Sequence, residues 1–411
     1  MLKNYKKIEH CRCCSNEHLI ELIDLGVQSF SGIFPTEKEE VPVGRLRLVK
    51  CHGENVCGLV QLDRDFDQSI MYGENYGYRS GLNSQMVKHL KHNVDVICEK
   101  VRVAPNAVIL DIGANDGTTL SFYPKNTTRI GIDPTISKFG DYYDEGILKC
   151  AEFFTSDVFR KICLSKAKVI TSFSMFYDLP NPIEFAMNIA EILDDNGIWV
   201  LEQSDLMMMF ESLSIDTICH EHTEYYSVSA LNFIMKKADL KIIDIDFNDV
   251  NGGSSRIFVT HVGSSLKVEH EKIQAAISRE KDFENDPSRY FQEFIDSFHN
   301  EIEKLKYFLK LNKQNGVSIY GLGASTKGNT LLQLCGLDAV LLDCIGEINP
   351  DKFGKYTPGT NIPIVDEREI IENENAIFFI LPWHFKESFI NQKTLQGRTK
   401  VFALPFFEII P

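Results

Sequence analysis

Residues 108–117 read VILDIGANDG, an apolar run that ends in Asp111 and passes directly into a turn with two glycines. The aliphatic residues of the run predict a buried strand. Gly113 and Gly117 would let the backbone approach a ligand closely at the carboxyl end of that strand. We therefore expect a ligand-binding turn after the first strand of a parallel sheet.

The segments that follow repeat the order of strand, turn and helix. They read RIGIDP at 129–134, KVITSFSMF at 168–176 and GIWVLEQ at 197–203, the alternation typical of a doubly wound α/β sheet. In residues 266–313 apolar residues recur at helical spacing, which predicts a helical connector. A second α/β pattern starts after Gly316. The expected α/β architecture has a small module at 1–68, an α/β domain at 69–265, and a helical connector with a Rossmann-like domain at 266–411.

The glycine spacing identifies a ligand class for the first turn. The pattern D-x-G-x-x-x-G differs from the dinucleotide loop G-x-G-x-x-G and resembles the loop of class I methyltransferases that holds S-adenosylmethionine. Asp133 ends the next strand, where a carboxylate can accept both ribose hydroxyls. A structural turn without cofactor is the alternative. The expected cofactor contacts are Asp111, Gly113, Asn115, Gly117, Asp133, Glu152 and Phe153, although a plain core strand explains the phenylalanine about as well.

Five of the eleven cysteines lie within residues 1–68. Cys11 with Cys14 and Cys51 with Cys57 form two thiol pairs, and four soft ligands suit a tetrahedral, structural Zn²⁺. A module of this size rarely has a sufficient core of its own. Buried free thiols are the alternative, and Cys13 or His52 could replace one of the four ligands.

The overall composition limits the partners. Lys and Arg total 43 against 58 Asp and Glu, a net charge of −15, which argues against a protein that coats nucleic acid or an anionic membrane. The sequence contains neither a signal-peptide pattern nor an apolar run long enough to cross a bilayer. We expect a cytoplasmic protein, and the sequence leaves its oligomeric state open.

Residues 219–226 read CHEHTEYY and bring together two imidazoles, two carboxylates and two phenols. Such a cluster offers a base that titrates near neutral pH, groups that orient it, and donors for a developing oxyanion. The spacing differs from that of the H-E-x-x-H zinc helix. An active site is therefore the favoured interpretation of this cluster.

Two further stretches could contact a substrate. MYGENYGYRS at 71–80 is rich in tyrosine and could close over a sugar, or could be an aromatic packing strip. GLGASTKG at 321–328 follows a predicted strand and resembles a turn that lets phosphate approach a helix N-terminus. By itself this second pattern is weak.

In combination, these motifs resemble the zinc-containing nucleotide-sugar C-methyltransferases that make branched deoxysugars. The matching landmarks are the cysteine pair at the start, CGLVQL at 57–62, the tyrosine strip at 72–79, DIGANDGTTL at 111–120, HEH at 220–222, NGGSSRIF at 251–258, GLGASTKGNTLL at 321–332 and KFGKYTPGT at 352–360. The resemblance implies a zinc module, a class I methyltransferase domain, and a C-terminal Rossmann-like domain that holds the nucleotide of the substrate.

The resemblance also implies a mechanism. In this family a base removes the proton beside the ketone of a 4-keto sugar nucleotide, and the enolate attacks the sulfonium methyl of S-adenosylmethionine. By motif position His222 is the implied base, with Glu221 and His220 ordering it and Tyr76 near the sugar. The other implied substrate contacts are Tyr72, Tyr78, Arg79, Tyr225, Arg256, Gly323, Ser325 and Lys327.

Two residues depart from the family pattern. Cys219 stands where the family usually has tyrosine, and Tyr177 stands where it commonly has histidine. Tyr177 is therefore a second candidate acid-base group, and the sugar and its methylated position stay open. An O- or N-methyltransferase on a related sugar, or a non-catalytic sugar-nucleotide-binding protein, are the alternative functions.

Overall fold

The structure, a computed structural model, describes residues 5–37, 41–67 and 78–411. Its first part is a sheet built from the cysteine-rich segment. The strands are β1 (Tyr5–Lys7), β2 (Leu19–Ser29), β3 (Val43–Cys51), β4 (Val60–Leu62) and β5 (Arg64–Phe66). β1 pairs with β5, while β2, β3 and β4 form an antiparallel sheet. Leu46 and Leu48 alternate with more exposed residues along β3, so one face of this N-terminal sheet is apolar and buried.

The second part is a doubly wound sheet with an antiparallel edge. Its elements are α1 (Ser84–Lys100), β6 (Val108–Ile112), α2 (Thr118–Ser121), β7 (Thr128–Ile132), α3 (Ile136–Phe139), β8 (Ile147–Cys150), α4 (Ser156–Ile162), β9 (Ala167–Phe173), α5 (Pro182–Ile192), β10 (Leu193–Ser204), α6 (Leu206–Glu211), β11 (Glu224–Tyr225), α7 (Val228–Lys237), β12 (Leu240–Asn248) and β13 (Ser254–His261). This middle sheet has the order β12-β13-β10-β9-β6-β7-β8. β6 lies between β7 and β9, so ligands are expected where the carboxyl ends of these strands diverge.

β11 follows the middle sheet's β10 in the chain but belongs to the N-terminal sheet. Glu224 and Tyr225 pair antiparallel with Gln61 and Val60 of β4. The histidine-containing segment just before β11 is thereby held between the two sheets.

The third part begins with helices and ends in another doubly wound sheet. Its elements are α8 (His270–Arg279), α9 (Lys281–Asn285), α10 (Pro287–Gln314), β14 (Ser318–Leu322), α11 (Thr326–Cys335), β15 (Cys344–Glu347), β16 (Ile364–Asp366), β17 (Ala376–Ile380), α12 (Lys386–Asn391), β18 (Thr399–Phe402) and β19 (Glu408–Ile410). This C-terminal sheet has the order β16-β15-β14-β17-β18-β19. β14 lies between β15 and β17, which places a second ligand crevice beyond its carboxyl end.

The long helix α10 links the first and third parts. Asp286 caps it by accepting a hydrogen bond from the Arg289 N–H at 3.1 Å. Its buried residues recur at helical spacing and share one core with Phe30 and Leu46 of the N-terminal part and Ile319 of β14. The segment 266–313, predicted as a helical connector, contains α8, α9 and most of α10. Of these, α10 packs against both the N-terminal and the C-terminal sheet. Across the described residues, no helix has the length and apolar character needed to span a membrane.

Candidate active site

A cleft of about 860 Å³ lies where the carboxyl ends of the middle and C-terminal sheets face each other. Residues that follow β6, β7 and β9 line one side, and residues that follow β14, β15 and β17 line the other. Gly32 and Phe34 of the N-terminal part complete the wall. Both switch points therefore open into one shared space.

The end of the cleft beside β6 has the features expected for S-adenosylmethionine. Gly113 has a φ of +72°, and a Cβ there would lie 3.0 Å from Cγ of Met175, so only glycine leaves the turn open to a ligand. Asp133 accepts the Asn115 N–H at 2.8 Å on one carboxylate oxygen and the Thr135 N–H at 2.7 Å on the other. The Thr135 hydroxyl donates to that second oxygen as well, at 2.6 Å. The oxygen that accepts from Asn115 keeps lone-pair capacity for a ribose hydroxyl, so this carboxylate fits the cofactor.

Asn115 also ties the preceding segment to the glycine turn. Its side chain accepts the Ser80 N–H at 3.0 Å and donates to the Tyr78 carbonyl at 3.1 Å. The Arg79 guanidinium stacks over the Tyr142 ring at 3.9 Å from the centroid. Tyr78 and Arg79 line the cleft. The other members of the predicted strip, at positions 72 and 76, lie outside the described residues.

Three other predicted cofactor residues differ in their placement. Phe153 is 61% exposed and lines the cleft together with Glu152, where an exposed ring suits a flat ligand. Asp111 also lines the cleft, but it is buried against Thr171, and burial raises its pKa to about 7. Gly117 does not line it: a Cβ there would lie 2.8 Å from the Tyr143 ring. The structure thus assigns Gly117 to packing instead of ligand contact.

His222 lies in the cleft wall beside Tyr177, with ring centroids 4.3 Å apart. Its Nδ1 is 2.8 Å from the Thr217 carbonyl oxygen. Because a carbonyl only accepts, Nδ1 carries the proton and Nε2 of the neutral ring can accept one. Burial, with a smaller effect from the nearby Lys327 cation, lowers the pKa of His222 to about 3. The ring is therefore neutral at pH 7. Its pKa lies below the ordinary histidine value near 6.5 that the sequence alone suggested.

The other members of the histidine cluster turn in different directions. His220 is buried between Phe30 and Phe66, with centroid distances of 4.6 and 4.8 Å, and its Nε2 lies 3.1 Å from the Gly44 carbonyl oxygen. The expectation that it orders His222 is corrected, because this ring packs in the N-terminal core. Glu221 lines the cleft, and its carboxylate lies 3.5 Å from the Ser31 hydroxyl. The hydrogen bond that orders His222 comes from Thr217, not from Glu221.

The C-terminal sheet contributes the predicted residues of its glycine loop. Gly323, Ser325 and Lys327 line the cleft at the start of α11. Ser325 caps this helix by accepting the Gly328 N–H at 3.0 Å. Lys327 reaches across to the middle part, with Nζ 3.0 Å from Oγ1 of Thr217.

Lys352 and His384 also line the cleft, and neither is among the site residues predicted from the sequence. Lys352 donates to the Ala324 carbonyl at 2.6 Å. Nδ1 of His384 is buried with no hydrogen-bond partner in the described residues. The sequence signal that could have identified His384 is its position shortly after the carboxyl end of β17.

Two predicted substrate contacts are not among the residues that line the cleft. Arg256 is buried in β13, where its guanidinium donates to Asn93 at 2.5 Å and to Asp246 at 3.0 Å. This side chain therefore supports the middle sheet. Tyr225 is buried at the β4 edge, with its hydroxyl 3.5 Å from the Thr217 carbonyl oxygen, and it lines a small cavity that His222 and Tyr177 also line. Its role toward the substrate stays a prediction.

The four predicted zinc ligands come together in the N-terminal part. The Sγ atoms of Cys11, Cys14, Cys51 and Cys57 all lie within 4.8 Å of one another. The Sγ atoms of Cys11 and Cys57 are 3.4 Å apart, and those of Cys14 and Cys51 are 3.5 Å apart. Four thiols at this separation fit a tetrahedral zinc, and a full set of protein ligands makes such a site structural.

Three family models match successive parts of the chain. Residues 11–72 match "Putative zinc binding domain", residues 82–245 match "Methyltransferase domain", and residues 249–405 match "C-methyltransferase C-terminal domain". The C-methyltransferase NovU of Streptomyces niveus is 23% identical over 410 residues, which are 98% of this chain and 96% of that protein.

Solved structures show more distant similarity. A methyltransferase from Clostridium acetobutylicum is 9% identical, with a TM-score of 0.34 over 43% of this chain and 92% of that one. The plantazolicin methyltransferase BpumL is 14% identical, with a TM-score of 0.33 over 42% of this chain and 83% of that one.

The glycine turn with Asp133, together with the matching models, defines an S-adenosylmethionine-dependent methyltransferase with a class I fold and a structural zinc. Within that class, the three matching models and the similarity to NovU support a C-methyltransferase built from a zinc-binding module, a methyltransferase domain and a C-methyltransferase C-terminal domain.

Proposed function

We propose that this C-methyltransferase acts on a keto sugar linked to a nucleotide, through an enolate formed by proton abstraction at the carbon next to the ketone. The observation that carries the proposal is the hydrogen bond between His222 Nδ1 and the Thr217 carbonyl at 2.8 Å. It fixes the tautomer in which Nε2 is the basic nitrogen, in a ring that lines the cleft.

An activated acceptor is needed because unactivated carbon is a poor nucleophile. Removing the proton beside a ketone makes the carbon nucleophilic, since the charge is shared with the carbonyl oxygen. Bound S-adenosylmethionine supplies the electrophilic methyl group. Gly113 and Asp133 would hold it on the β6 side of the cleft, which His222 also lines.

The opposite side of the cleft supports a nucleotide-linked substrate. α11 begins at Thr326 directly after the glycine loop, and a helix N-terminus favours anionic groups. Lys327 and Lys352 add two cations to this wall. Phosphates held there would place the attached sugar between the two sheets, near His222.

The test is deuterium exchange into a nucleoside-diphosphate 4-keto-6-deoxyhexose, measured by NMR in D₂O without S-adenosylmethionine. Enolate formation should introduce label at the carbon beside the ketone faster than buffer alone does. The same sugar nucleotide reduced to its 4-hydroxyl is the control and should stay unlabelled. Methylation of a sugar oxygen or nitrogen, with no exchange into any keto sugar tried, would contradict the proposal.

A further inference from the structure

Thr217 holds two groups that come from different parts of the chain. Its carbonyl oxygen lies 2.8 Å from Nδ1 of His222, and its Oγ1 lies 3.0 Å from Nζ of Lys327. Thr217 is itself buried and is the last residue of a short 3₁₀ helix, Ile215–Thr217. The candidate base and a cation of the C-terminal part are therefore fixed relative to each other by one residue.

The hydrogen bonds of Lys327 leave one donor unassigned. An ammonium has three N–H donors, and Nζ of Lys327 makes two hydrogen bonds, to Thr217 Oγ1 at 3.0 Å and to the Asn251 carbonyl at 2.6 Å. The side chain lines the cleft, as the His222 ring does. The third N–H of Lys327 is available to a ligand that contacts both Lys327 and His222.

Resting on the proposed function, we infer that Lys327 is a catalytic residue whose third N–H stabilises the enolate oxygen. When Nε2 of His222 takes the α-proton, the C–H electron pair forms the new C=C bond and the carbonyl π pair moves onto oxygen. A donor already fixed near that oxygen stabilises this charge without reorganisation. On methyl transfer the oxygen pair would re-form the carbon–oxygen double bond, and the C=C pair would form the new bond to the methyl carbon. The S–CH₃ bond would break with its electron pair left on sulfur, S-adenosylhomocysteine would be the leaving group, and the Lys327 donor would be released.

The preorganisation comes from the two hydrogen bonds that Lys327 already makes. A free lysine side chain would lose rotamer entropy on adopting one geometry, whereas Nζ of Lys327 is held at both Thr217 and Asn251. Asn251 in turn donates to the Ser174 hydroxyl at 3.3 Å, at the end of β9. The ammonium is thus anchored to loops of the middle sheet although its backbone belongs to the C-terminal one.

Two variants separate charge stabilisation from positioning. Lys327→Met and Thr217→Val each remove the hydrogen bond between these side chains, but only the first removes the ammonium. Thr217→Val keeps the carbonyl that orients His222. In the exchange assay, Lys327→Met should lower the maximal rate about 10²–10³-fold, the range for loss of one oxyanion donor. Thr217→Val should retain most of the rate, and Lys327→Arg should recover part of the loss.

Further measurements exclude indirect effects. Lys313→Met, which removes a partly exposed ion pair with Asp343, is the matched control and should leave exchange unchanged. Calorimetry should show that Lys327→Met still binds S-adenosylhomocysteine, which reports an intact middle part. Equal losses for Lys327→Met and Thr217→Val would overturn the inference, because Lys327 would then only position Thr217.

A changed KM with an unchanged maximal rate would also overturn it, since Lys327 would then contact substrate equally in the ground state and the transition state. Failure of the two proposals can be told apart. If the wild-type protein exchanges no label, the proposed function is wrong and this inference falls with it. If the wild-type protein exchanges label and Lys327→Met does so at the same rate, only the role of Lys327 is wrong.

Discussion

The rings of Tyr177 and His222 lie 4.3 Å apart between centroids, in one wall of the cleft. Thr223 maintains this arrangement, since its N–H donates to the Tyr177 carbonyl at 3.0 Å and its hydroxyl donates to the same oxygen at 3.2 Å. The loop after β9 and the histidine segment are therefore joined. Tyr177 and His222 are thus two candidate bases side by side in the cleft wall. They differ in the pH range over which each can accept a proton.

His222→Ala should lower turnover by about 10²–10⁴, the usual contribution of general-base assistance, while S-adenosylmethionine affinity stays close to wild type. A phenol with the ordinary pKa near 10 is almost fully protonated at neutral pH, so little of Tyr177 is in the form that can accept a proton, whereas the His222 ring is neutral. Tyr177→Phe should therefore retain more turnover than His222→Ala. The reverse order, measured with both variants folded, would assign proton abstraction to Tyr177.

The exchange rate should stay nearly constant from pH 7.5 down to about pH 5, whereas a base with the ordinary histidine pKa near 6.5 would lose activity over this range. Burial, with Lys327, lowers the pKa of His222 to about 3, so protonation removes the basic nitrogen only well below pH 5. Burial also lowers the pKa of His384, the other imidazole among the described residues that line the cleft, to about 3.

This pH profile is measured without S-adenosylmethionine, because Asp111 at the cofactor end has a pKa raised to about 7. A rate that falls with a midpoint near 6.5 would show that the base in the substrate complex is a solvated imidazole. His222 in its buried setting would then be excluded as that base.

The double substitution Cys14→Ser with Cys57→Ser should abolish zinc binding, measured as metal content per purified chain. It removes one thiolate from each pair in a cluster whose Sγ atoms lie within 4.8 Å of one another. Cys13→Ser is the matched control, since Cys13 is a buried neighbour that is not one of these four residues. Zinc loss on Cys13→Ser with retention in the double variant would mean a different ligand set.

Sequence reasoning predicted the site best where strand ends determine position. Gly113 and Asp133 both follow parallel strands at their carboxyl ends, so any doubly wound sheet brings them to one edge. The thiol pairs were similarly predictable, because soft ligands in a small module have few other uses. In both cases a local pattern fixes a three-dimensional position.

Side-chain direction in irregular segments could not be predicted. His220 and His222 belong to one motif, yet one ring packs on Phe30 and the other faces the cleft. The segment between them is not a strand, so the period-two rule gives no orientation. Contacts from distant parts of the chain, such as Lys327 with Thr217, depend on how the sheets pack and leave no mark in local sequence.

His220→Phe should leave the exchange rate close to wild type and destabilise the fold. The ring lies among aromatic neighbours, so phenylalanine keeps most of the packing but loses the contact with the Gly44 carbonyl. Loss of one partner in a buried hydrogen bond costs about 1–3 kcal/mol, measured by denaturant unfolding. A rate loss as large as that of His222→Ala would place His220 in the catalytic machinery after all.

Asp133→Ala should weaken S-adenosylmethionine binding by about 1.5–3 kcal/mol, the range for hydrogen bonds to a charged group, with little change in sugar-nucleotide affinity. The carboxylate also accepts protein donors, so ribose binding must be separated from support of the turn. Thr135→Val serves this purpose, because it removes the hydroxyl that donates to Asp133 at 2.6 Å and leaves the carboxylate in place. Calorimetry on both variants should show a large loss for Asp133→Ala and a small one for Thr135→Val. Equal loss of cofactor and sugar-nucleotide affinity in Asp133→Ala would mean that Asp133 supports the fold instead of the ribose.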